Sequence, residues 1–215
     1  MREEIPLTNM ADQNRLILSI LAVAVLLTLY LILALRYERF ATLNSRVRTA
    51  VMNHRKPWLE RPMRWTHQVN GAVSMSALTA AVAFLFGIVW DSWMQGFVIT
   101  AAMLFETAFT HATKALHKSE RPPQLIADFL MKTHSYPSGH SAASMTFALI
   151  VPYFMSMHLA PVYVIPVAVL LLFNALATAY GRLYLDMHWM VDLLGGWCMA
   201  GITFFSVQIL LVILH

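Results

Sequence analysis

Three clusters of polar residues have types and spacings that suit phosphate chemistry. Each cluster alone is a weak signal, but together they supply cations, a candidate helix start and histidines beside a carboxylate. Groups of these kinds bind phosphate oxygens and attack phosphorus. The clusters are Lys114 with Arg121-Pro122 after six intervening residues, Tyr136-Pro137-Ser138-Gly139-His140, and Gly181-Arg182 followed by His188 and Asp192.

The third cluster contains a candidate nucleophile. His188 and Asp192 are four residues apart, a spacing that puts both side chains on one face of a helix. A carboxylate bonded to one imidazole nitrogen selects the tautomer and leaves the other nitrogen free to attack. The alternative is a structural pair that caps a helix. Polar residues at membrane depth are costly and commonly functional, which favours the catalytic interpretation.

Three cations form a candidate phosphate clamp. Arg121 and Arg182 each offer a planar fork of donors that matches phosphate oxygens, and Lys114 adds a point charge. Cations also stabilise helix C-termini and anchor membrane edges. For Lys114 and Arg121 taken alone, that anchoring role is the favoured interpretation.

The second cluster precedes an apolar stretch and predicts a helix start. Ser138 is a preferred N-cap type, Gly139 allows close backbone approach, and free amides at a helix start bind anions. For Pro-Ser-Gly alone a plain helix cap is favoured. When His140, the next residue, is included, the helix cap and the anion site are equally supported interpretations. The three clusters combined match the requirements of phosphoryl transfer through a phosphohistidine.

The composition places these clusters in a membrane protein. Of the 215 residues, 59% are hydrophobic and 12% charged, and the mean hydropathy is +0.61. A soluble domain of this length needs a larger charged surface. The single cysteine, Cys198, excludes an intramolecular disulfide. No internal repeat or cleavable signal peptide is evident, so residues 1–215 are predicted to form a single membrane-embedded domain.

Six apolar stretches are long enough to cross a bilayer, which requires about 20 helical residues. The predicted fold is therefore all-α, a polytopic bundle of six transmembrane helices. Six spans put the connections after the first, third and fifth on one side of the membrane, where all three clusters fall. The spans are roughly Leu16–Leu35, Gly71–Trp90, Gly96–Thr113, Ser141–Met157, Val162–Tyr180 and Trp189–Leu214.

The connection after the first span is strongly basic. Residues 36–70 contain eight Lys or Arg against two acids. Apolar residues recur in it at helical spacing, which predicts an amphipathic interfacial helix. An exposed basic loop is the equally supported alternative. The recurring apolar residues are Trp58, Leu59, Met63, Trp65 and Val69.

Other polar residues are assigned to structural roles. Glu106 in the third span is predicted to pair with Lys114 or with a tyrosine. The remaining polar residues of the long loop are expected to face water. They are His117, Lys118, Lys132 and His134.

The ordered motifs Lys-x6-Arg-Pro, Pro-Ser-Gly-His and Arg-x5-His-x3-Asp resemble the type-2 phosphatidic acid phosphatase superfamily. The resemblance covers roughly residues 55–210. This superfamily includes bacterial phosphatidylglycerophosphate, undecaprenyl pyrophosphate and lipid A phosphatases, lipid phosphotransferases and the soluble vanadium haloperoxidases. A haloperoxidase is disfavoured because those enzymes are soluble.

The resemblance implies a role for each residue of the motifs. It implies that His188 attacks phosphorus, that Asp192 orients His188, and that His140 protonates the leaving oxygen and then activates water. It also implies a six-helix membrane bundle that needs no metal or other cofactor. The residues implied to hold the phosphate are Lys114, Arg121, Ser138, Gly139 and Arg182.

Two positions depart from the family pattern. Gly181 replaces the serine that usually precedes the arginine of the third motif, so a hydroxyl contact is lost. Asp186 stands where many members have glycine, two residues before the candidate nucleophile. A carboxylate there is expected either to repel phosphate or to pair with a nearby cation.

The sequence thus predicts a lipid phosphate or pyrophosphate phosphatase acting through a phosphohistidine. The favoured substrates are undecaprenyl pyrophosphate and a phospholipid phosphate. Its partners are the substrate and membrane lipids, with no nucleic acid. A lipid-to-lipid phosphotransferase is the alternative. A proton-coupled transporter is disfavoured because the polar residues cluster at one membrane edge, and a lipid-binding module would leave His188 and Asp192 without a purpose.

Two arguments about the side of the membrane conflict. The side with the clusters carries thirteen of the fifteen Lys and Arg residues, since only Arg2 and Arg15 lie elsewhere. The positive-inside rule then predicts a cytoplasmic site. The resemblance implies the outer face of a bacterial inner membrane. We follow the resemblance, because basic residues can also attract anionic headgroups on either side.

Overall fold

The computed structural model describes residues 10–125 and 131–214, and within these ranges the regular structure is entirely helical. This confirms the all-α prediction, and each predicted span overlaps one helix. Two short 3-10 turns, Tyr37–Phe40 and Pro57–Leu59, separate helices in the basic connection. The helices are α1 Met10–Leu35, α2 Ala41–Asn53, α3 Glu60–Val69, α4 Ala72–Trp90, α5 Trp93–Leu116, α6 Gly139–Met155, α7 Pro161–Tyr184 and α8 Met190–Leu214.

Helix α8 is central to the bundle and packs against α1, α5 and α6. Glycines on α8 permit these close approaches. A Cβ atom on Gly201 would lie 2.7 Å from Leu26 of α1, and one on Gly196 would lie 2.8 Å from the Ser138 carbonyl oxygen at the start of α6. A side chain at position 196 would displace the backbone at the start of α6, since packed interiors leave little free space. A side chain at position 201 would require the end of the Leu26 side chain to move.

Four helices, α1, α4, α7 and α8, are long and apolar enough to cross a membrane. Large apolar side chains on their outer surfaces are exposed, as expected for contact with lipid. Of the other two predicted spans, α6 has only 17 residues, and α5 carries Gln95, Glu106 and His111 among its apolar residues. The count of six membrane-spanning helices therefore remains a prediction.

The basic connection is helical, so the loop alternative is wrong for most of it. Helix α3 packs against α7 and buries Met63 and Thr66 in the contact. Trp58 and Trp65 are 72% and 60% exposed. Exposed tryptophans suit a membrane interface, because the indole ring can contact lipid while its N–H group bonds to water or to headgroups. The interfacial position of α3 remains a prediction.

The antiparallel order of the helices places the three polar clusters at one end of the bundle. The C-terminal ends of α5 and α7 meet the N-terminal ends of α6 and α8 there. At the other end, the α6–α7 connection contacts the α4–α5 turn, and His158 stacks on Trp90 with ring centroids 4.9 Å apart. The fold therefore brings together residues that are far apart in the chain.

Candidate active site

His188 lies in the short connection between α7 and α8, and Asp192 lies in the first turn of α8. The Nδ1 atom of His188 is 3.1 Å from a carboxylate oxygen of Asp192. Because a carboxylate only accepts hydrogen bonds, Nδ1 carries the proton and Nε2 keeps its lone pair. Both side chains are almost fully buried. The pairing predicted from their spacing is therefore present.

Asp192 is held by donors from three parts of the chain. Tyr37 donates its hydroxyl to Oδ1 at 2.9 Å, and the Trp189 amide donates to Oδ2 at 2.8 Å. The Ser135 hydroxyl also donates to Oδ2. These bonds compensate for burying the carboxylate, whose desolvation is otherwise costly. Tyr37 and Ser135 were not predicted from the sequence.

Arg121 reaches the candidate nucleophile directly. Its guanidinium lies 3.2 Å from Nε2 of His188 and donates to the Met187 carbonyl oxygen at 2.7 Å. It also donates to the Thr133 carbonyl oxygen at 2.7 Å. The Lys114 ammonium donates to the carbonyl oxygens of His134 and Ser135 at 2.8 and 2.9 Å. The two cations therefore both organise the loop before α6 and stand beside His188.

The surroundings of His188 favour the neutral imidazole. Burial of the ring lowers the pKa of His188 well below its usual value, and the neighbouring cations Arg182, Arg121 and Lys114 lower this pKa further. A neutral ring keeps the lone pair that a nucleophile needs.

The N-terminus of α6 points to the same region. Ser138 occupies the N-cap position, but its side chain makes no capping bond and instead lies 3.0 Å from the Ser141 hydroxyl. The first amides of a helix have no partner within it, so this end can receive an anion. A Cβ atom on Gly139 would lie 3.5 Å from Thr110 and meet nothing else within 4 Å. The backbone at Gly139 thus borders open space.

Arg182 and His140 meet on the side formed by α3. The guanidinium of Arg182 donates to Nδ1 of His67, and the rings of His67 and His140 stack with centroids 4.8 Å apart. The Nε atom and one terminal nitrogen of Arg182 are buried without a hydrogen-bond partner among the described residues. Buried donors usually have partners, so these atoms are available to a ligand.

Asp186 forms an ion pair with a cation from the basic connection. Arg48 of α2 binds its two carboxylate oxygens at 2.7 and 3.0 Å, and the Leu125 amide donates to it at 3.2 Å. The expectation that Asp186 either repels phosphate or pairs with a cation is thus resolved as pairing. Its φ angle of 56° lies in the left-handed region, where glycine is unstrained. This conformation agrees with the glycine that the resemblance implies at this position.

The other departure, Gly181, has a packing explanation. A Cβ atom at this position would lie 2.7 Å from the Thr66 hydroxyl and 3.5 Å from the Met63 carbonyl oxygen. A side chain at this position would therefore require Thr66 of α3 to shift. The missing side chain allows Thr66, the residue before His67, to pack against α7 here.

Two structural assignments made from the sequence are wrong. Glu106 contacts the hydroxyl groups of Thr110 and Thr107 at 2.9 and 3.4 Å rather than Lys114 or a tyrosine. Thr107 is the next residue and Thr110 lies one helical turn further on, so both hydroxyl groups are closer to Glu106 than Lys114, two turns away, is. His117 does not face water, since its Nε2 lies 2.8 Å from the Ala34 carbonyl oxygen. Lys118, Lys132 and His134 are exposed as expected.

A cavity of about 680 Å³ adjoins the site between the end of α1 and the loop after α5. Tyr37 and Trp189, which both bond to Asp192, contribute to its wall. Three cations also line it, Arg36, Arg39 and Lys118, together with the acids Glu38 and Glu120. Over residues 10–125 and 131–214, no group of three or more His, Cys, Asp or Glu side chains is placed to hold a metal ion.

Comparison with known proteins identifies the family. The family model of the PAP2 superfamily matches residues 95–212, more than half of the chain. This protein belongs to the PAP2 superfamily. The match includes all eight candidate residues, from Lys114 to Asp192. With the apolar helices, it confirms the resemblance found in the motifs and identifies an integral membrane protein of the lipid phosphatase class.

Two solved structures share the fold. A transmembrane PAP2 type phosphatidylglycerolphosphate phosphatase from Bacillus subtilis matches with a TM-score of 0.80 and 21% identity, covering 86% of this chain and 94% of its own. LpxE from Aquifex aeolicus matches with a TM-score of 0.56 and 22% identity, covering 80% of this chain and 93% of its own. No curated protein sequence gives a significant match.

Proposed function

We propose that this PAP2 protein hydrolyses a lipid phosphate or pyrophosphate through a phosphohistidine formed on Nε2 of His188. The observation that carries the proposal is the arrangement around that ring. Asp192 holds the proton on Nδ1, and Arg121 approaches Nε2 from the opposite side. A phosphate oxygen at the Arg121 guanidinium would therefore bring phosphorus close to the nucleophilic lone pair.

In the first step, the phosphate is held by side chains and helix-start amides. Nε2 of His188 attacks phosphorus, and the bond from phosphorus to the lipid oxygen breaks. His140 donates a proton to that leaving oxygen. The ring becomes positively charged as the P–N bond forms, and Asp192 stabilises this charge. The groups proposed to bind the phosphate oxygens are Lys114, Arg121, Ser138, Gly139 and Arg182.

In the second step, His140, now neutral, accepts a proton from water. The resulting oxygen attacks phosphorus, the P–N bond breaks, and inorganic phosphate leaves with His188 restored. The preorganised cations stabilise the charge that spreads over the phosphate oxygens in both steps. Transfer to a lipid hydroxyl instead of water would make the protein a phosphotransferase.

Candidate substrates are membrane lipids with a terminal phosphate. The name of the Bacillus subtilis neighbour favours phosphatidylglycerophosphate, and the motifs equally suit undecaprenyl pyrophosphate. The cavity beside Tyr37 and Trp189 could receive the part of the headgroup that is not phosphate. We propose that residues 1–215 form one membrane domain surrounded by membrane lipids.

A panel of lipids tests the activity. The purified protein in detergent is expected to release inorganic phosphate from one or more of phosphatidylglycerophosphate, undecaprenyl pyrophosphate, phosphatidate and a lipid A phosphate. The His188→Ala variant serves as the blank. Transfer of labelled phosphate to an acceptor lipid without release to water would identify the phosphotransferase. Absence of both reactions across the panel would contradict the proposal.

Metal removal is expected to leave the activity unchanged. Three cations, Lys114, Arg121 and Arg182, are available to neutralise the phosphate, so no divalent ion is required. Initial rates should be equal with and without an excess of chelator. Vanadate should inhibit, because it adopts the five-coordinate geometry of the transition state. Loss of activity on chelation, with recovery on adding Mg²⁺ or Zn²⁺, would refute this prediction.

The site is expected to face the outside of the bacterial inner membrane. In a Cys198→Ser background, single cysteines at Ser45 on α2 and at Ser156 after α6 would mark opposite ends of the bundle. An impermeant thiol reagent added to intact cells should label the cysteine at position 45 and not the one at 156. The reverse pattern would place catalysis in the cytoplasm. Labelling of both cysteines would contradict the proposed topology.

A further inference from the structure

His67 lies outside the three motifs and outside the residues matched by the family model, yet it contacts one candidate phosphate-binding residue and one candidate catalytic residue. It is in the last turn of α3. Its Nδ1 accepts a hydrogen bond from Arg182, and its ring stacks on His140 at an interplanar angle of 21°. Residues 67 and 182 are 115 positions apart in the chain.

The chemistry of the two groups determines the direction of this bond. A guanidinium has five donors and no acceptor, so Nδ1 of His67 must present a lone pair. The His67 ring is therefore neutral, with its proton on Nε2. Burial and the neighbouring Arg182 guanidinium lower the pKa of His67 to about 4, in agreement with this assignment.

The bond leaves a specific part of Arg182 available. One terminal nitrogen is held by His67, while Nε and the other terminal nitrogen are buried without a partner among the described residues. Arg182 is itself 1% exposed, so water does not easily satisfy these donors. An edge with two parallel N–H donors matches two oxygens of one phosphate group.

We propose that His67 is a positioning residue that orients Arg182 toward the phosphate of the substrate. This inference rests on the proposed function. The Nδ1 lone pair holds one end of the guanidinium so that the remaining edge points at the phosphate oxygens. Stacking on His140 keeps the His67 ring in the orientation that this bond requires.

Two substitutions at position 67 test the hydrogen-bond acceptor and the stacking ring separately. His67→Asn places a carbonyl oxygen near the position of Nδ1 but removes the ring, whereas His67→Phe keeps a ring and removes the acceptor. Only His67→Phe loses the hydrogen bond from the charged Arg182 guanidinium. Losing such a bond is expected to change the measured constants on the order of tenfold or more. The His54→Phe variant, altered at an exposed histidine at the end of α2, provides the matched control.

The measurements are kcat, KM and the inhibition constant of inorganic phosphate, taken on a lipid that the wild-type protein hydrolyses. His67→Phe is expected to raise the inhibition constant and to lower kcat by on the order of tenfold each, while His67→Asn stays within about threefold of wild type. Equal losses in both variants, or wild-type constants in His67→Phe, would overturn the inference. His67→Leu, which also lacks an acceptor, replaces the phenylalanine variant if that protein does not fold.

The control reactions separate this inference from the proposed function. If the wild-type protein releases phosphate and His188→Ala does not, the phosphohistidine proposal survives whatever the His67 variants do. If His188→Ala remains active, the proposed function fails. Wild-type behaviour of His67→Phe in an enzyme that depends on His188 would remove only the role of His67.

Discussion

His188→Ala is expected to abolish phosphate release, with a loss on the order of 10⁵-fold or more, because the covalent intermediate can no longer form. His140 is not expected to replace His188, since its ring stacks on His67 and it is proposed to serve as the acid and base. The measurement is the initial rate of inorganic phosphate release in detergent. A phosphoenzyme trapped by acid quenching after incubation with labelled lipid should appear in the wild type and be absent in the variant.

The control for this prediction is His111→Ala. His111 is exposed on α5 and is not among the residues that contact His188 or Asp192, so its replacement should leave the rate unchanged. Both variants should elute from size exclusion as the wild type does, because truncation at position 188 leaves the Asp192 bonds to Tyr37 and Trp189 in place. Near-normal release by His188→Ala would disprove the phosphohistidine mechanism.

Asp192→Asn is expected to fold and to lose roughly 10³- to 10⁴-fold in kcat. The amide of asparagine can donate to Nδ1 of His188, which favours the tautomer with its proton on Nε2 and removes the attacking lone pair. The variant also lacks the negative charge that stabilises the phosphohistidine. Unlike His188→Ala, it should still form a slow phosphoenzyme, detectable in single-turnover experiments.

Two neighbouring substitutions test whether the carboxylate itself is responsible. Tyr37→Phe and Ser135→Ala each remove one hydrogen bond to Asp192 while keeping its charge. Loss of one such bond is expected to cost about tenfold or less. If Tyr37→Phe reduced kcat as strongly as Asp192→Asn, the effect would come from the packing of the basic connection rather than from control of the His188 tautomer.

The sequence determined the helices and the composition of the site. Apolar stretches predicted where each long helix would lie, because burying backbone polar groups in lipid requires helices. The spacing of His188 and Asp192 predicted their contact, because residues four apart meet on any helix. The order of the motifs along the antiparallel helices predicted that the clusters would share one end of the bundle.

The supporting contacts were decided by the tertiary structure. Tyr37 bonds to Asp192 across 155 positions, and Arg48 pairs with Asp186 across 138. No local periodicity connects such residues, since their meeting depends on how separate helices cross and how close they come. The sequence contains some signals of close helix packing. One is the pair Gly195 and Gly196, because adjacent glycines in an apolar helix indicate close approach of other groups.

The contact between His67 and Arg182 could not be predicted from the sequence. The motif identified Arg182 as a candidate phosphate ligand, and the neighbouring Gly181 looked like the loss of a useful hydroxyl. In the folded protein, a Cβ atom at Gly181 would lie 2.7 Å from the Thr66 hydroxyl, so the glycine allows Thr66 to pack there, next to the His67 that contacts the guanidinium. A short-range pattern can identify the residues that carry chemistry, but the shape of the packed surfaces decides which neighbours orient them.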